Sequence, residues 1–290
     1  MSRFSSYELN FLNAQGVGKA LLSGLSASLF LGALGMPAKA EEVLDTTLTQ
    51  SRFVLGAALV SSAEYPGSDR RNTRLSPLWA YQYGRWRLST SRASAVLGFA
   101  TDAAGPGAST ELVSTKDWHF GAALRFDSGR KASDSPDLNG LPDVRRTLRG
   151  RLYASHTFDQ QWSIGGNVSQ DLMGRGGGAL ASIDLGYKYW ITPRIEWASG
   201  MGATLADKRN MMTYFGISGE QASKSGLRPF AAGAGLHDVH VGTGLTMALT
   251  PHWIAFGNLG ASRLMADAAN SPLTRRANSV SATLGISYRN

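Results

Sequence analysis

The chain has 290 residues, of which 43% are hydrophobic and 17% charged, and its formal net charge is +8. Because it contains no cysteine, it cannot form a disulfide, a zinc–thiolate site or a cysteine nucleophile. No run of basic residues interleaved with aromatics accompanies the positive charge, so we expect no nucleic-acid partner.

The first forty residues are typical of a secretory signal peptide. Lys19 precedes the apolar run ALLSGLSASLFLGALGM, and PAKA then supplies a small-x-small cleavage site ending at Ala40. The run is rich in Gly, Ser and Ala and too short for a good permanent membrane span. Since the stretch before Lys19 is long for a signal peptide, the true start could lie further in, and a buried helix of a soluble protein is the competing interpretation. We predict a signal peptide over 1–40 and one domain over 41–290.

The rest of the chain repeatedly alternates between apolar and polar or small residues. In WHFGAALRF (118–126) and DVHVGTGLTMAL (238–249), every second residue belongs to an apolar face. A period of two indicates β-strands, whose successive side chains point to opposite faces. The other faces carry small residues and charges of both signs, which suits the inner wall of an outer-membrane barrel better than the wet face of a soluble sandwich. Closure is required because hydrocarbon offers no partner to an open sheet edge.

Counting these segments predicts a transmembrane, antiparallel, up-and-down barrel of twelve strands, an all-β fold. Tight connections, as in 158–162, 189–195 and 249–253, alternate with long polar ones at 127–147, 206–237 and 265–278, as in barrels with short periplasmic turns and longer outer loops. The alternation is weakest in the third and fourth strands. The predicted strands are 51–61, 73–82, 85–100, 110–116, 117–127, 147–158, 161–171, 179–190, 194–205, 238–249, 253–264 and 279–289.

The tryptophans support this arrangement without depending on the strand count. All seven, at 79, 86, 118, 162, 190, 197 and 253, lie close to an inferred periplasmic turn. Tryptophan collects at membrane interfaces because its ring is apolar and its indole N–H seeks water. Trp190 is the exception in direction, since its position in the alternation points it inward. A general preference of tryptophan for strand ends is the alternative explanation.

Two motifs invite a ligand site. His237 and His240 form an H-x-x-H pair, but residues i and i+3 of a strand point to opposite faces, and only Asp238 lies nearby as a third ligand. The segment Gly174–Leu180 is glycine-rich but lacks the Gly-Lys-Ser/Thr ending of a phosphate loop, so we interpret it as a surface turn. We therefore predict no metal or cofactor.

A Ser/His/Asp set is not favoured either. Ser155, His156 and Asp159 are close in sequence, but the alternation directs His156 to lipid and Ser155 to the lumen, and no Gly-x-Ser-x-Gly occurs. We expect no enzyme activity and assign no catalytic residues. In the loop EYPGSDRRN (64–72), Arg70 and Arg71 could contact lipopolysaccharide phosphates, although an ordinary solvated turn is the simpler interpretation.

Several multi-residue blocks follow one another along the chain: EYPGSD, SPLWAYQYGRWRLST, DSPDLNGLPDV, SQDLMGRGGGAL, MTYFGISGEQASKSGL, AAGAGLHDVHVG and LTPHWIAFGNLGASRLMADAANSPLT. In this order they resemble the MipA/OmpV family of outer-membrane proteins, from about Arg52 to Tyr288. The resemblance implies an outer-membrane barrel, and it implies a role like that of the family's MltA-interacting protein, which bridges a lytic transglycosylase and a bifunctional penicillin-binding protein. The family has no accepted catalytic residues to carry over.

The C-terminus departs from the pattern of such barrels, which usually end in phenylalanine. This chain ends Tyr288-Arg289-Asn290. The departure bears on how efficiently the assembly machinery recognises the last strand, although Tyr288 is aromatic.

The leading functional hypothesis is a non-enzymatic scaffold in the cell outer membrane, surrounded by lipid and lipopolysaccharide, that docks periplasmic murein enzymes. A narrow passive channel is one alternative. A surface adhesin or antigen that uses the loops 206–237 and 265–278 is the other.

Overall fold

The computed structural model describes residues 51–90 and 106–290, which form a closed antiparallel barrel of twelve strands. Each strand pairs with its neighbours in sequence, and β1 pairs with β12 to close the sheet. The predicted fold class and strand number are confirmed. The strands are β1 (Ser51–Ala63), β2 (Arg71–Tyr83), β3 (Trp86–Ser89), β4 (Gly107–Ser114), β5 (Trp118–Asp127), β6 (Thr147–Phe158), β7 (Trp162–Asp171), β8 (Ala179–Thr192), β9 (Ile195–Ala206), β10 (Gly235–Ala248), β11 (Trp253–Leu264) and β12 (Asn278–Arg289).

Two predictions fall wholly or partly outside the described residues. The signal peptide over 1–40 lies outside them, so the division into 1–40 and 41–290 stays a prediction. The predicted third strand, 85–100, is described only at its start, as β3.

Apolar side chains cover the outside of the barrel. Leu75 is 74% exposed and Leu284 is 68% exposed, whereas the inward Ala58 and Leu78 are 1% and 2% exposed. A continuous exposed apolar surface is unfavourable in water and favourable in hydrocarbon. The predicted alternation is therefore confirmed. In the described part of the chain, no helix is both long enough and apolar enough to span a membrane.

The two ends of the barrel differ in their connections. Tight turns of two to four residues (84–85, 115–117, 159–161, 193–194 and 249–252) join strands at one end, here called the turn end. Asp159 and Gln160 both adopt positive φ, at 55° and 54°, a left-handed conformation that residues other than glycine seldom adopt. The tryptophans lie near this end, as predicted, and Trp190 pairs across the sheet with the inward-facing Glu196.

Inside the barrel, glycines on one strand make room for large side chains on the next. A Cβ at Gly121 would lie 2.2 Å from the ring of Tyr153, and one at Gly285 would lie 2.3 Å from the ring of Phe256. The glycines of the alternating pattern thus allow bulky side chains to lie flat against the inner wall. On the wall formed by β1, β2 and β11, Phe256 packs with Ala58, Val60 and Leu78.

The long connections at the other end, here called the loop end, contain local structure that the sequence patterns did not predict. The segment predicted as a loop over 206–237 holds two helices, α1 (Lys208–Phe215) and α2 (Gly219–Ser225), and a third, α3 (Ala266–Asn270), follows β11. Two short 3₁₀ turns, Ala132–Asp134 and Pro136–Leu138, lie between β5 and β6. The signal for α2 was present in the sequence, because Ser218 and Gln221 form a reciprocal capping box.

Candidate functional site

Five connections at the loop end pack together into a compact layer, here called the cap (64–70, 128–146, 172–178, 207–234 and 265–277). One of its cores joins α1 and α3 to the ends of β9 and β11. Met211, Phe215 and Ala268 are 0% exposed there, and they pack with Ala206 and Leu264. Loops that bury such apolar side chains are ordered parts of the fold rather than solvated connections.

A second apolar core joins the remaining loops. Tyr65 is 3% exposed and packs with Leu138, Leu141, Ile217 and Leu273. Its hydroxyl donates a hydrogen bond of 3.1 Å to the carbonyl of Leu273. Burial, followed by the nearby Asp137 carboxylate, raises the pKa of the Tyr65 phenol to about 12.

The interpretation of EYPGSDRRN as an ordinary solvated turn was therefore wrong for its first half. Tyr65 and Ser68 are buried because the loop folds into the cap. Arg70, by contrast, is about half exposed and lies 3.6 Å from an Asp137 oxygen, and Arg275 approaches the other oxygen at 3.5 Å. Asp137 thus ties together the first, second and last loops of the cap.

A buried polar network fastens the cap to β6 and β7. Arg149 donates hydrogen bonds to the carbonyls of Gly177 at 2.8 Å and Gly178 at 3.1 Å. Asp171 accepts from the Thr147 hydroxyl and, at 2.9 Å each, from the N–H groups of Met173 and Gly177. A charged group that accepts several hydrogen bonds is stabilised in a buried site that would otherwise disfavour it.

The interpretation of Gly174–Leu180 as a surface turn was wrong in part. Gly177 and Gly178 are buried because the chain bends back between the strands and α1. The Asn210 side chain also donates to the Gly177 carbonyl at 2.8 Å. Positive φ at Gly176 and Gly178, 94° and 56°, accounts for the glycine requirement there. The segment anchors loops through these contacts.

His237 and His240 converge, contrary to the expectation that they would point to opposite faces. A β-bulge between Leu236 and Asp238 shifts the register of β10 against β9, and such an extra residue reverses the direction of a side chain. His237 Nδ1 lies 2.6 Å from one oxygen of Asp238, and His240 Nδ1 lies 2.9 Å from the other.

The same network continues across the lumen wall and into the cap. His240 Nε2 lies 2.9 Å from Asp184 Oδ1, so His240 bridges two carboxylates. The rings of His237 and Phe215 meet edge to face at 5.3 Å, which joins the network to α1. Within the described residues, no three His, Cys, Asp or Glu side chains are arranged to hold a metal ion. The group is a hydrogen-bonded network on the barrel wall that contacts the cap through His237.

Two further cap residues complete the attachment of α1. Arg130 donates to the carbonyl of Tyr214 at 2.8 Å, and burial lowers the pKa of the Arg130 guanidinium. Burial also raises the pKa of Tyr214 to about 12, with a further contribution from Asp127. The cap therefore contains two phenols that are held in their neutral form.

The sequence-proposed Ser/His/Asp residues do not come together as a catalytic set. His156 lies on the outer face, where its ring stacks on Trp118 at 5.1 Å, and it pairs across the sheet with the apolar Ile164. Ser155 lies on the opposite, inner face beside Gly165. This confirms the directions predicted from the alternation. Asp159 belongs to the exposed turn after β6.

A different Ser/His/Glu group occurs inside the barrel near the turn end, and sequence reasoning missed it. Ser114 Oγ lies 2.5 Å from His119 Nδ1, and Glu111 Oε2 lies 3.8 Å from the same nitrogen. In a catalytic Ser/His/acid triad, the serine hydroxyl and the carboxylate contact different nitrogens of the histidine ring. Here both contact Nδ1, so this geometry positions His119 without activating Ser114. The bulge between Glu111 and Val113 creates the grouping.

The chain's C-terminus is integrated into the barrel. The Tyr288 ring lies 5.5 Å from those of His252 and Trp253 and 6.2 Å from that of Phe53. Asn290 accepts a hydrogen bond from the Phe53 N–H at 2.8 Å. Tyr288 thus occupies the outward aromatic position in the terminal strand, two residues before the end.

Comparison with known proteins identifies one family. Residues 55–290 match the family model described as MltA-interacting protein MipA. No curated protein matches the chain significantly.

Solved outer-membrane structures are similar in architecture but distant in sequence. The NanC porin is 11% identical with a TM-score of 0.41, and the match covers 81% of this chain and 98% of that one. The KdgM porin is 8% identical with a TM-score of 0.39, over 81% and 98% of the two chains. An outer-membrane channel from Pseudomonas putida F1 is 11% identical with a TM-score of 0.41, over 84% and 95%.

Proposed function

Because this chain belongs to the MltA-interacting protein MipA family, whose model matches residues 55–290, we propose that it is a scaffold that docks murein enzymes. The chain is an outer-membrane barrel, and its turn end faces the periplasm, where murein is synthesised and cut. The family match is the observation that carries the proposal. The proposed partners are a lytic transglycosylase and a penicillin-binding protein, and the proposed role is non-enzymatic.

The architecture supports a static role for the loop end. The cap buries two apolar cores and is tied to the strands through Arg149, Asp171 and the His237–Phe215 ring contact. Ordering loops in this way leaves the short turns as the exposed protein surface on the periplasmic side. Three exposed basic side chains, Arg85, Lys116 and Arg194, lie on those turns, and charged rim residues of this kind steer partners and set specificity.

Affinity purification from envelope solubilised in mild detergent tests the proposal. We expect the wild-type protein to recover a lytic transglycosylase and a penicillin-binding protein. A turn-end variant carrying Arg85→Glu, Lys116→Glu and Arg194→Glu should lose both, because each change reverses an exposed charge. Absence of both enzymes from the wild-type sample would overturn the docking role.

A matched control uses the same number of charge reversals at the opposite end. Arg145, Arg146 and Lys208 are exposed at the loop end, and their replacement by glutamate should leave recovery unchanged. Equal loss in both triple variants would show that the turn end is not the docking surface.

A narrow passive channel is the second candidate, and the charged inner wall favours it. Lys188 and Glu196 face the lumen on neighbouring strands and interact electrostatically near the turn end. Paired charges of this kind are typical of a wet interior. Planar-bilayer recordings test it, because steady ohmic steps support a pore and silence supports a barrel closed by its cap. Removal of 207–234 should increase any conductance.

A further inference from the structure

Two arginines interrupt the otherwise uncharged outer face of the described strands. Among the described strand residues that face outward, only Arg71 and Arg263 belong to the Asp, Glu, Lys or Arg types. Arg71 is the first residue of β2 and Arg263 the penultimate residue of β11, so both lie at the loop end. An arginine on the lipid face costs about 2–4 kcal/mol at the membrane midplane and about 0–1 near the interface, which places both at the headgroup level.

Both arginine side chains lie close to Val280 of β12, although the two residues belong to different hairpins. Arg71 reaches across β1 and donates to the Val280 carbonyl on β12 at 2.7 Å and to the Ser61 hydroxyl at 3.0 Å. Val280 pairs with Ala261, and Arg263 pairs with Asn278, so Val280 and Arg263 are diagonal neighbours at roughly 7–8 Å. In the described part of the chain, no carboxylate lies within ion-pair distance of either arginine.

An apolar groove begins beside this pair on the same outer face. It has a volume of about 660 Å³, and its lining includes Arg263, Val280, Ala261, Val241, Met201 and Ile183. The groove crosses from β12 to β7, a span of roughly 24 Å at the usual strand spacing of about 4.8 Å. Since half of a bilayer's hydrocarbon core is roughly 15 Å thick, the groove is long enough to hold an acyl chain of one leaflet.

We propose that Arg71 and Arg263 bind the phosphate groups of an outer-leaflet phosphorylated glycolipid of the lipid A type, with one acyl chain in the groove. Guanidinium groups match phosphate with paired, charge-assisted hydrogen bonds. The side of the membrane selects the ligand, because the long loops of such barrels face outward. The assignment rests on the outer-membrane location and not on the docking role, so either can fail without the other.

Native mass spectrometry of the full mature protein in mild detergent tests the assignment. The probes are lipid A with its phosphates, the same lipid after dephosphorylation, and phosphatidylglycerol. We expect the Arg71→Gln, Arg263→Gln double variant to bind phosphorylated lipid A about tenfold more weakly or worse, since one lost charge-assisted hydrogen bond accounts for a factor of that size. Dephosphorylated lipid A should bind weakly to both proteins.

The single variant Arg263→Gln separates lipid binding from folding, because Arg71 also bonds within the barrel. It should fold like the wild type, as judged by heat-modifiable migration in gels, and still lose affinity. An Arg85→Gln, Arg194→Gln variant removes the same charge at the turn end and should bind lipid A normally. Unchanged binding in both Arg263 variants, or equal binding of dephosphorylated lipid A or phosphatidylglycerol by the wild type, would overturn the assignment.

Discussion

Replacing Asp171 by asparagine tests whether the buried polar network holds the cap on the barrel. The Asp171 carboxylate is 6% exposed and accepts hydrogen bonds from Thr147, Met173 and Gly177 through its two oxygens. An asparagine side chain keeps one oxygen as an acceptor but replaces the other oxygen with an NH₂ group. That NH₂ group is a donor, and it would face a group that also donates. At about 1.5–3 kcal/mol for each hydrogen bond to a charged group, loss of one or two such bonds lowers the free energy of unfolding by about 1.5–6 kcal/mol.

Thermal unfolding of the purified barrel in detergent, followed by circular dichroism, measures this loss. Limited trypsin digestion measures the local effect, because Arg175 lies in the loop that Asp171 fastens and should be cleaved faster in Asp171→Asn. The control is Asp159→Asn in the exposed turn, where φ is 55° and asparagine is well tolerated. We expect it to change stability by less than about 0.5 kcal/mol. If Asp171→Asn melts at the wild-type temperature and is cleaved after Arg175 at the wild-type rate, the proposed role of the network is refuted.

Three further predictions concern the lumen, the cap and the terminal strand. Gly202→Ala places a Cβ 2.1 Å from an Asp184 oxygen and should destabilise the barrel by about 1–3 kcal/mol, whereas Gly242→Ala, whose Cβ would have its nearest neighbour at 3.6 Å, should melt like the wild type. The pKa of Tyr65 is raised to about 12 from an ordinary value of 10.0, so the contribution of its neutral phenol to stability is complete below pH 10 and is lost as pH rises through 12. Alkaline titration of tyrosinate absorbance should show this late ionisation, and Tyr65→Phe should remove it. Tyr288→Ala should reduce the folded fraction in outer-membrane extracts, because it removes the ring that packs on Trp253; assembly at the wild-type level would contradict this.

The strands illustrate why the fold was predictable from the sequence. In β10, Val239, Val241, Leu245 and Met247 alternate with small or polar residues, and all four are at least 37% exposed on the outer face. The pattern is readable because hydrocarbon outside and a confined polar interior impose opposite demands on successive side chains. A one-residue shift in the pairing of a strand would place every one of its side chains on the wrong face. Each residue type therefore has to match the face on which it lies, and the register is encoded along the whole strand.

The candidate site was less predictable because its residues meet through tertiary contacts. The convergence of His237 and His240 depends on one β-bulge, which the alternation does not reveal. The burial of Gly177 depends on Arg149 and Asn210, which lie 28 and 33 residues away in sequence. Such contacts carry no periodic signal.

The sequence by itself determined the twelve-stranded barrel, the direction of its strand side chains and its aromatic belt, since each follows from local alternation and the membrane's demand for an apolar surface. Only the tertiary structure decided that the long loops form a cap, that Asp171 and His237 join it to the strands, and that Arg71 and Arg263 both lie beside Val280 on the lipid face. Those features arise where strands distant in sequence become neighbours on closure of the barrel, and spacing along the chain does not encode that proximity.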